Sequence, residues 1–283
     1  MTINASSQEK LLIIGCGDIG QRLAQQLDTY HYQTTGLRRQ PPADLPYLRY
    51  QTCDTTQARQ LAEVFRREAF DVVVISMTPS ERSDAGYEQA YVRTCENLVA
   101  ALKQHQHEPR LILFVSSTAV YGQNDGSWID EQSPTQPSSF SGKRLLEAEQ
   151  VIQHSGFAHC IVRLSGIYGP GRNRLIEQVK QRRASSSPHY TNRIHADDCA
   201  GVLAHLIMQQ QLPAGIYLAS DSSPTPMIEV VSWIAEQLGI KDFLAENAVN
   251  DRGNKRISNQ RLITSGYQFR YPDFRTGYTE LIH

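Results

Sequence analysis

Leu11-Leu12-Ile13-Ile14-Gly15-Cys16-Gly17-Asp18-Ile19-Gly20 is the stretch that decides the fold. The apolar run is short and ends in glycine, so it reads as a buried strand, and Gln21 to Leu27 carries apolar residues at helical spacing. Strand, glycine turn and helix together form the setting in which G-x-G-x-x-G binds a dinucleotide. The first glycine permits a tight turn, the second lets a pyrophosphate approach the backbone, and the third lets the helix pack on the strand. The start of the helix offers unpaired N–H groups to phosphate. The expected contacts are Gly15, Cys16, Gly17, Asp18, Ile19 and Gly20.

The same alternation continues outward from this turn. Gln33 to Leu37 and Leu48 to Gln51 read as strands, and Thr56 to Ala69 as a helix with Leu61, Val64 and Phe65 on one face. Asp71 to Ser76 (DVVVIS) and Leu111 to Val115 (LILFV) are polar only at their edges, as strands covered on both faces should be. Helices over Tyr87 to Gln104 and Ser141 to His154, and a strand over Ala158 to Leu164, complete an α/β pattern: a Rossmann-type, doubly wound parallel sheet. After Gly169 the alternation stops. Residues 1–169, with later returns at about 190–220, are expected to form the dinucleotide-binding domain, and 170–283 a smaller, interleaved substrate subdomain closing over a cleft. Within the latter, Cys199 to Met208 and Met227 to Leu238 read as helices and Ile216 to Leu218 as a returning strand. Asn247 to Asn259 is polar and basic, and Pro272 ends the last organised piece.

With 283 residues, 40% of them hydrophobic, the chain can bury a sizeable core. Its 28 Lys and Arg against 29 Asp and Glu leave no overall field to hold nucleic acid or an acidic membrane. Five widely spaced cysteines without a CxxC pair point to reduced packing residues and a cytoplasmic setting. Met1 to Lys10 is too polar for a secretory segment, and no apolar run approaches the ~18 residues of a membrane span. The nine histidines do not repeat with carboxylates at ligand spacing, so no metal site is expected.

The second strand ends Gly36-Leu37-Arg38-Arg39, where an NAD enzyme carries Asp or Glu for the ribose 2′-OH. A guanidinium grips a phosphate with paired, charge-assisted hydrogen bonds, so Arg38 and Arg39 favour NADP over NAD, which stays open as the cofactor. The alternative is two solvated arginines that hold nothing. Asp54, after the third strand, can accept from an adenine amino group or serve only its own turn. Ser76 and Met77, ending the fourth strand, belong to the same expected cofactor site.

Ser116-Ser117-Thr118-Ala119-Val120-Tyr121-Gly122 resembles the S-S-x-x-V-Y-G signature of extended and atypical short-chain dehydrogenase/reductases, the NAD(P)-dependent epimerase/dehydratase family. Arg163 to Gly171 is similar to the family's R-x-x-x-x-Y-G-P-G, and Ile194-His195-Ala196-Asp197-Asp198 to I-H-V-D-D. The GxGxxG form and Ser258-Asn259-Gln260-Arg261-Leu262 resemble the atypical bacterial subgroup of YeeZ-like proteins. The resemblance covers nearly the whole chain. It implies a Rossmann fold, a small polar substrate, and a homodimer paired through helices corresponding to Tyr87–Gln104 and Ser141–His154.

The chain departs from this pattern at the catalytic Y-x-x-x-K. Four residues before Lys143 stands Ser139, so the tyrosine is missing while the lysine remains; Tyr91 likewise stands where the family has a helix Asn. In active members Ser polarises the substrate oxygen, Tyr passes its proton, and Lys lowers the Tyr pKa and bonds the nicotinamide ribose. A phenol near 10 can be tuned by an ammonium; a serine hydroxyl cannot. The resemblance makes Ser117 the polarising serine and Lys143 the lysine, also cofactor-binding, with Tyr121 or Tyr168 as a replacement acid. Ser117 bonding its own backbone, Lys143 on a solvated helix face and packed tyrosines are the structural alternatives. Two functions follow as expectations: an oxidoreductase or epimerase-like enzyme, or a non-catalytic NADP(H)-binding redox sensor.

Overall fold

A computed structural model describes residues 8–27, 31–244 and 253–282. The first half of the chain runs β1 (Glu9–Ile14), α1 (Asp18–Gln26), β2 (Tyr32–Arg38), β3 (Arg49–Thr52), α2 (Ala58–Arg67), β4 (Val72–Ile75), α3 (Asp84–Tyr87), a π-helical turn (Glu88–Arg93), α4 (Thr94–Gln104) and β5 (Leu111–Ser117). Then come β6 (Trp128–Ile129), α5 (Phe140–Gln153), β7 (His159–Leu164), β8 (Gly166–Tyr168), α6 (Arg174–Lys180), β9 (Tyr190–Thr191), β10 (Arg193–His195) and α7 (Ala196–Met208). The chain closes with β11 (Gly215–Ala219), β12 (Thr225–Pro226), α8 (Met227–Gln237), β13 (Arg256–Ile257), α9 (Gln260–Thr264) and α10 (Phe274–Ile282).

Seven strands form the central sheet in the order β11-β7-β5-β4-β1-β2-β3. β1 pairs in parallel with β2 on one side and β4 on the other. The strand order therefore reverses beside β1, the point at which doubly wound sheets bind ligands at their carboxyl ends. Leu11 to Ile14 and Val72 to Ile75 are fully buried, which is why these strands read as continuous apolar runs rather than alternating ones. Leu61, Val64 and Phe65 form the buried face of α2, as their spacing predicts. β11 is the returning strand expected at Ile216 to Leu218, and it takes the outer edge of the sheet.

The chain divides into two units: 1–120, 137–162 and 200–216 in the first, and 121–136, 163–199 and 217–283 in the second. The sequence reading put the boundary after Gly169; here 121–136 and 163–169 belong to the second unit. Their partners explain this, since β6 pairs with β13 and β8 with β10, far along the chain. Strands of two or three residues carry no periodicity, so nothing in the sequence announced these pairings.

The second unit has its own apolar cluster, in which Tyr168, Val179, Val231, Ile234, Phe274 and Tyr278 take part. Its final helix corrects the expectation that organisation ends at Pro272: α10 follows that proline, begins at Phe274 and buries Phe274 and Tyr278. Proline near a helix start costs little because the first N–H groups lack intrahelical partners. Of the polar, basic segment, 247–252 lies outside the described residues, as do 1–7 of the N-terminal stretch. All five cysteines are buried thiols. No helix among the described residues is long and apolar enough to cross a membrane.

Candidate functional site

The three glycines of the first turn meet three different surroundings. Gly15 has φ +76, and a Cβ there would lie 2.6 Å from Met77 Sδ and 2.8 Å from the Ser76 carbonyl oxygen. Gly20 is pressed onto the strand, its added Cβ 3.0 Å from both Cys16 Sγ and Ile13 Cγ2. At Gly17 the nearest atom to an added Cβ is the Gly15 carbonyl oxygen, 4.0 Å away. The middle position therefore faces open space, the cradle a pyrophosphate needs. Gly17 is also the N-cap of α1 and supplies no side chain to the helix start, which leaves the first N–H groups to a ligand.

A cavity of about 560 Å³ opens at this turn, and Gly15, Gly17, Arg38, Arg39, Asp54 and Met77 line it. Cys16, Asp18, Ile19, Gly20, Ser76 and Lys143 of the expected cofactor set do not line it. Cys16 turns inward, fully buried, where a Cβ on Gly36 of β2 would come within 2.7 Å of it; burial pushes its thiol up to about 12. Asp18 pairs with Arg22 one turn on, at 2.8 Å. Asp54 accepts from both the backbone N–H and the hydroxyl of Thr56 through Oδ1, at 3.1 and 2.7 Å, so one carboxylate oxygen already serves the local turn.

Arg38 and Arg39 form no ion pair with a carboxylate among the described residues. Most surface cations of this unit do: Arg49 with Glu68, Arg66 and Arg67 with Glu63, Arg93 with Glu96. Two guanidinium groups at the carboxyl end of β2 and the open glycine cradle thus line one cavity. Sequence reasoning missed Thr55, Thr56, Thr78, Ser80, Gly86 and Gln89, which also line the cavity. The first four follow strand ends, a signal available from β3 and β4; Gly86 and Gln89 sit in the helical stretch before α4 and had none.

The residues expected to carry chemistry each have local partners of their own. Ser117 Oγ accepts from the Ala119 N–H at 3.2 Å, while its neighbour Ser116 is buried and donates to Glu149 at 2.5 Å. Ser139 is the N-cap of α5 and accepts from the Gly142 N–H at 3.2 Å. Lys143 is exposed on that helix. The nearby Asp84 carboxyl is held below its ordinary value chiefly by its hydrogen bonds from Arg144, with Lys143 adding its charge. Tyr91, where the family has Asn, donates to the Met77 carbonyl at 3.1 Å, and burial raises its phenol.

Tyr121 and Tyr168 belong to the second unit. The Tyr121 hydroxyl accepts from Arg163 at 2.6 Å and donates to the Asp130 carbonyl at 3.0 Å. Lys255, whose ammonium is lowered by burial, donates to the Tyr121 carbonyl oxygen at 2.8 Å. Tyr168 stacks on Tyr278 with centroids 4.6 Å apart, and burial raises its phenol well above the usual range. Asp198 lies in the first turn of α7. Its carboxylate accepts from the Tyr267 hydroxyl and the Arg270 and Tyr271 N–H groups, at 2.8, 2.9 and 2.9 Å, and Arg193 donates to Thr191. No group of three or more metal-ligating side chains occurs among the described residues.

The NAD dependent epimerase/dehydratase family model matches residues 11–212. Protein YeeZ of Escherichia coli strain K12 is 29% identical over 281 residues, covering 94% of this chain and 97% of that protein. A solved structure from Methylobacillus flagellatus, described as an NAD-dependent epimerase/dehydratase, is 36% identical with a TM-score of 0.83, covering 98% of each chain. MoeE5, solved with UDP-glucuronic acid and NAD, shares the fold at 21% identity and a TM-score of 0.83, covering 96% of this chain and 97% of its own.

Proposed function

This chain belongs to the NAD dependent epimerase/dehydratase family, and on that premise we propose that it binds NADP(H) in the cavity at the glycine turn and works as an oxidoreductase or epimerase-like enzyme on a small polar substrate. The observation that carries the cofactor choice is the pair Arg38 and Arg39, which line the cavity without a carboxylate partner. The N–H groups at the start of α1, uncapped by any side chain, hold the pyrophosphate over Gly17. Arg38 and Arg39 grip the ribose 2′-phosphate, and an Asp or Glu in their place would repel it. When bound, the cofactor supplies or accepts a hydride.

Ser117, at the carboxyl end of β5, polarises the substrate oxygen by donating its hydroxyl proton, since its Oγ lone pair already serves Ala119. A serine at 139 does not supply the tunable phenol of the family. Tyr121 is the nearest phenol in sequence to Ser117, and its hydroxyl accepts from Arg163 while donating to the Asp130 carbonyl. Lys143 contributes positive charge from the exposed face of α5.

Titration calorimetry with NADPH and NADH tests this reading. NADPH should bind at least tenfold more tightly, and Arg38→Ala should remove about 1.5–3 kcal/mol of that affinity, the range of a hydrogen bond to a charged group, while leaving NADH unchanged. Equal affinities for the two nucleotides, or binding of neither, overturns it.

A second reading, a non-catalytic NADP(H) sensor, is favoured by one specific observation: Ser139 Oγ is committed to capping α5 rather than to chemistry. It predicts tight NADPH binding with no nucleotide turnover against a panel of carbonyl substrates. The enzyme reading predicts turnover that falls in Ser117→Ala with NADPH affinity kept.

A further inference from the structure

Asp84 to Gln104 is one helical rod whose middle, Glu88 to Arg93, is a π-helical turn. Such turns insert an extra residue and shift the side chains on either side out of register, and they recur at functional sites. The face of the rod that meets the carboxyl end of β3 is marked by Thr94, whose hydroxyl lies 3.1 Å from that of Thr55. Asn97 Nδ2 reinforces that face, donating to the Thr55 carbonyl at 3.0 Å. In an unbroken α-helix Gln89, five residues before Thr94, would point about 140° away from this face. The wider turn brings it round, so that Gln89 lines the cavity beside Ala90 and Gly86, and Asp54, Thr55 and Thr56 line the same cavity.

No hydrogen bond, ion pair or ring contact engages the Gln89 side chain among the described residues, and it is exposed where it lines the cavity. A carboxamide presents a donor and an acceptor side by side. That pattern is complementary to an adenine edge, where the exocyclic amino group donates and an adjacent ring nitrogen accepts. Asp54 at the end of β3 has one carboxylate oxygen committed to Thr56, which leaves the paired recognition to another group.

Resting on the proposed dinucleotide site, we infer that Gln89 is a specificity-determining residue that reads the adenine base of the cofactor through its carboxamide. The π-helical turn is the device that aims it. A carboxamide can rotate by half a turn and exchange its donor and acceptor, so wild type should tolerate hypoxanthine, whose ring N–H and carbonyl reverse the pattern. Gln89→Glu cannot: its carboxylate only accepts. On adenine it accepts from the amino group and repels the ring nitrogen, and on hypoxanthine it accepts from the ring N–H and repels the carbonyl, so it half-matches either base.

The experiment is a calorimetric titration of wild type, Gln89→Leu and Gln89→Glu with NADPH and with nicotinamide hypoxanthine dinucleotide phosphate in reduced form. Wild type should bind both within a few-fold. Gln89→Leu should weaken both by about tenfold, the worth of one to two hydrogen bonds. Gln89→Glu should likewise weaken both by about tenfold, since it repels one of the two groups on either base. Melting temperature and the NADPH-over-NADH ratio, read on the same samples, should stay at their wild-type values. If wild type binds NADPH and both variants bind the two nucleotides as wild type does, the inference about Gln89 falls while the cofactor site stands. If wild type binds neither nucleotide, the site itself falls, and with it the inference.

Discussion

Gly15 and Gly17 stand two residues apart and answer to different constraints. Gly15 needs a positive φ and has a sulfur and a carbonyl oxygen where a Cβ would go; any side chain there strains both backbone and packing. Gly15→Ala should therefore destabilise the fold by about 2–3 kcal/mol, seen as a lower urea midpoint at unchanged slope. Gly17 has open space at the same place and negative φ. Gly17→Ala should fold within about 0.5 kcal/mol of wild type, yet bind NADPH more weakly by roughly tenfold or more because its methyl group enters the phosphate cradle. A Gly17→Ala protein that melts early and binds normally would reverse these assignments. The pattern G-x-G-x-x-G carried the roles of Gly17 and Gly20 in the sequence, because their neighbours lie within a few residues, whereas the crowding at Gly15 comes from Ser76 and Met77 at the end of β4. Arg38 was legible for the same reason, whereas the inward turn of Cys16 depends on Gly36 of a neighbouring strand.

At the scale of an element, α5 shows how a position can keep its place in a motif and change its work. Ser139 accepts from the Gly142 N–H and lies 3.0 Å from the Ser141 hydroxyl. Gly142 packs so closely on the Ala119 carbonyl oxygen and Pro137 that no side chain fits there. The start of the helix is thus fixed by a cap and by one close approach. Ser139→Ala should cost about 1 kcal/mol through the lost cap, and Ser139→Tyr should cost at least as much, since a phenol at this position cannot accept from the N–H three residues on. Urea unfolding of the two variants measures it; a Ser139→Tyr protein as stable as wild type would refute the capping role. The helix itself was legible from periodicity. Lys143 was legible as a residue type, but the surface it points to is set by the phase in which α5 lies on its neighbours, and that places it near Asp84.

At the scale of the whole molecule, the second unit buries polar groups that its short strands bring together. Asp221 is 1% exposed, its N–H donates to the Arg193 carbonyl at 2.6 Å, and its Oδ2 has no hydrogen-bond partner. Burial pushes its carboxyl from 3.8 up to about 7, against the opposing Ser223 N–H and the Arg193 charge. Folding therefore favours the protonated form: this group's contribution is complete below about pH 4, is lost as pH rises toward 7, and is level above that. Asp221→Asn should be more stable than wild type at pH 8, by up to about 4 kcal/mol, and the advantage should shrink toward pH 4. Thermal melts across that range check it, and a pH-independent difference would place the effect in packing instead. Nothing around Asp221 in the sequence marks it as buried, because its surroundings come from β10 and from the segment before α10.

What the amino-acid sequence determined alone is the α/β alternation, the glycine turn at the end of β1, the arginines at the end of β2 and the absence of the family tyrosine at 139. These are local or periodic features, written within one turn or one strand. The tertiary structure alone decided the commitment of Tyr121 to Arg163, the assignment of 121–136 and 163–169 to the second unit, and the swing of Gln89 into the cavity. The physical reason is common to all three. Each depends on helix phase or on pairing between residues tens of positions apart, and both are set by which surfaces bury together rather than by the residues next in line.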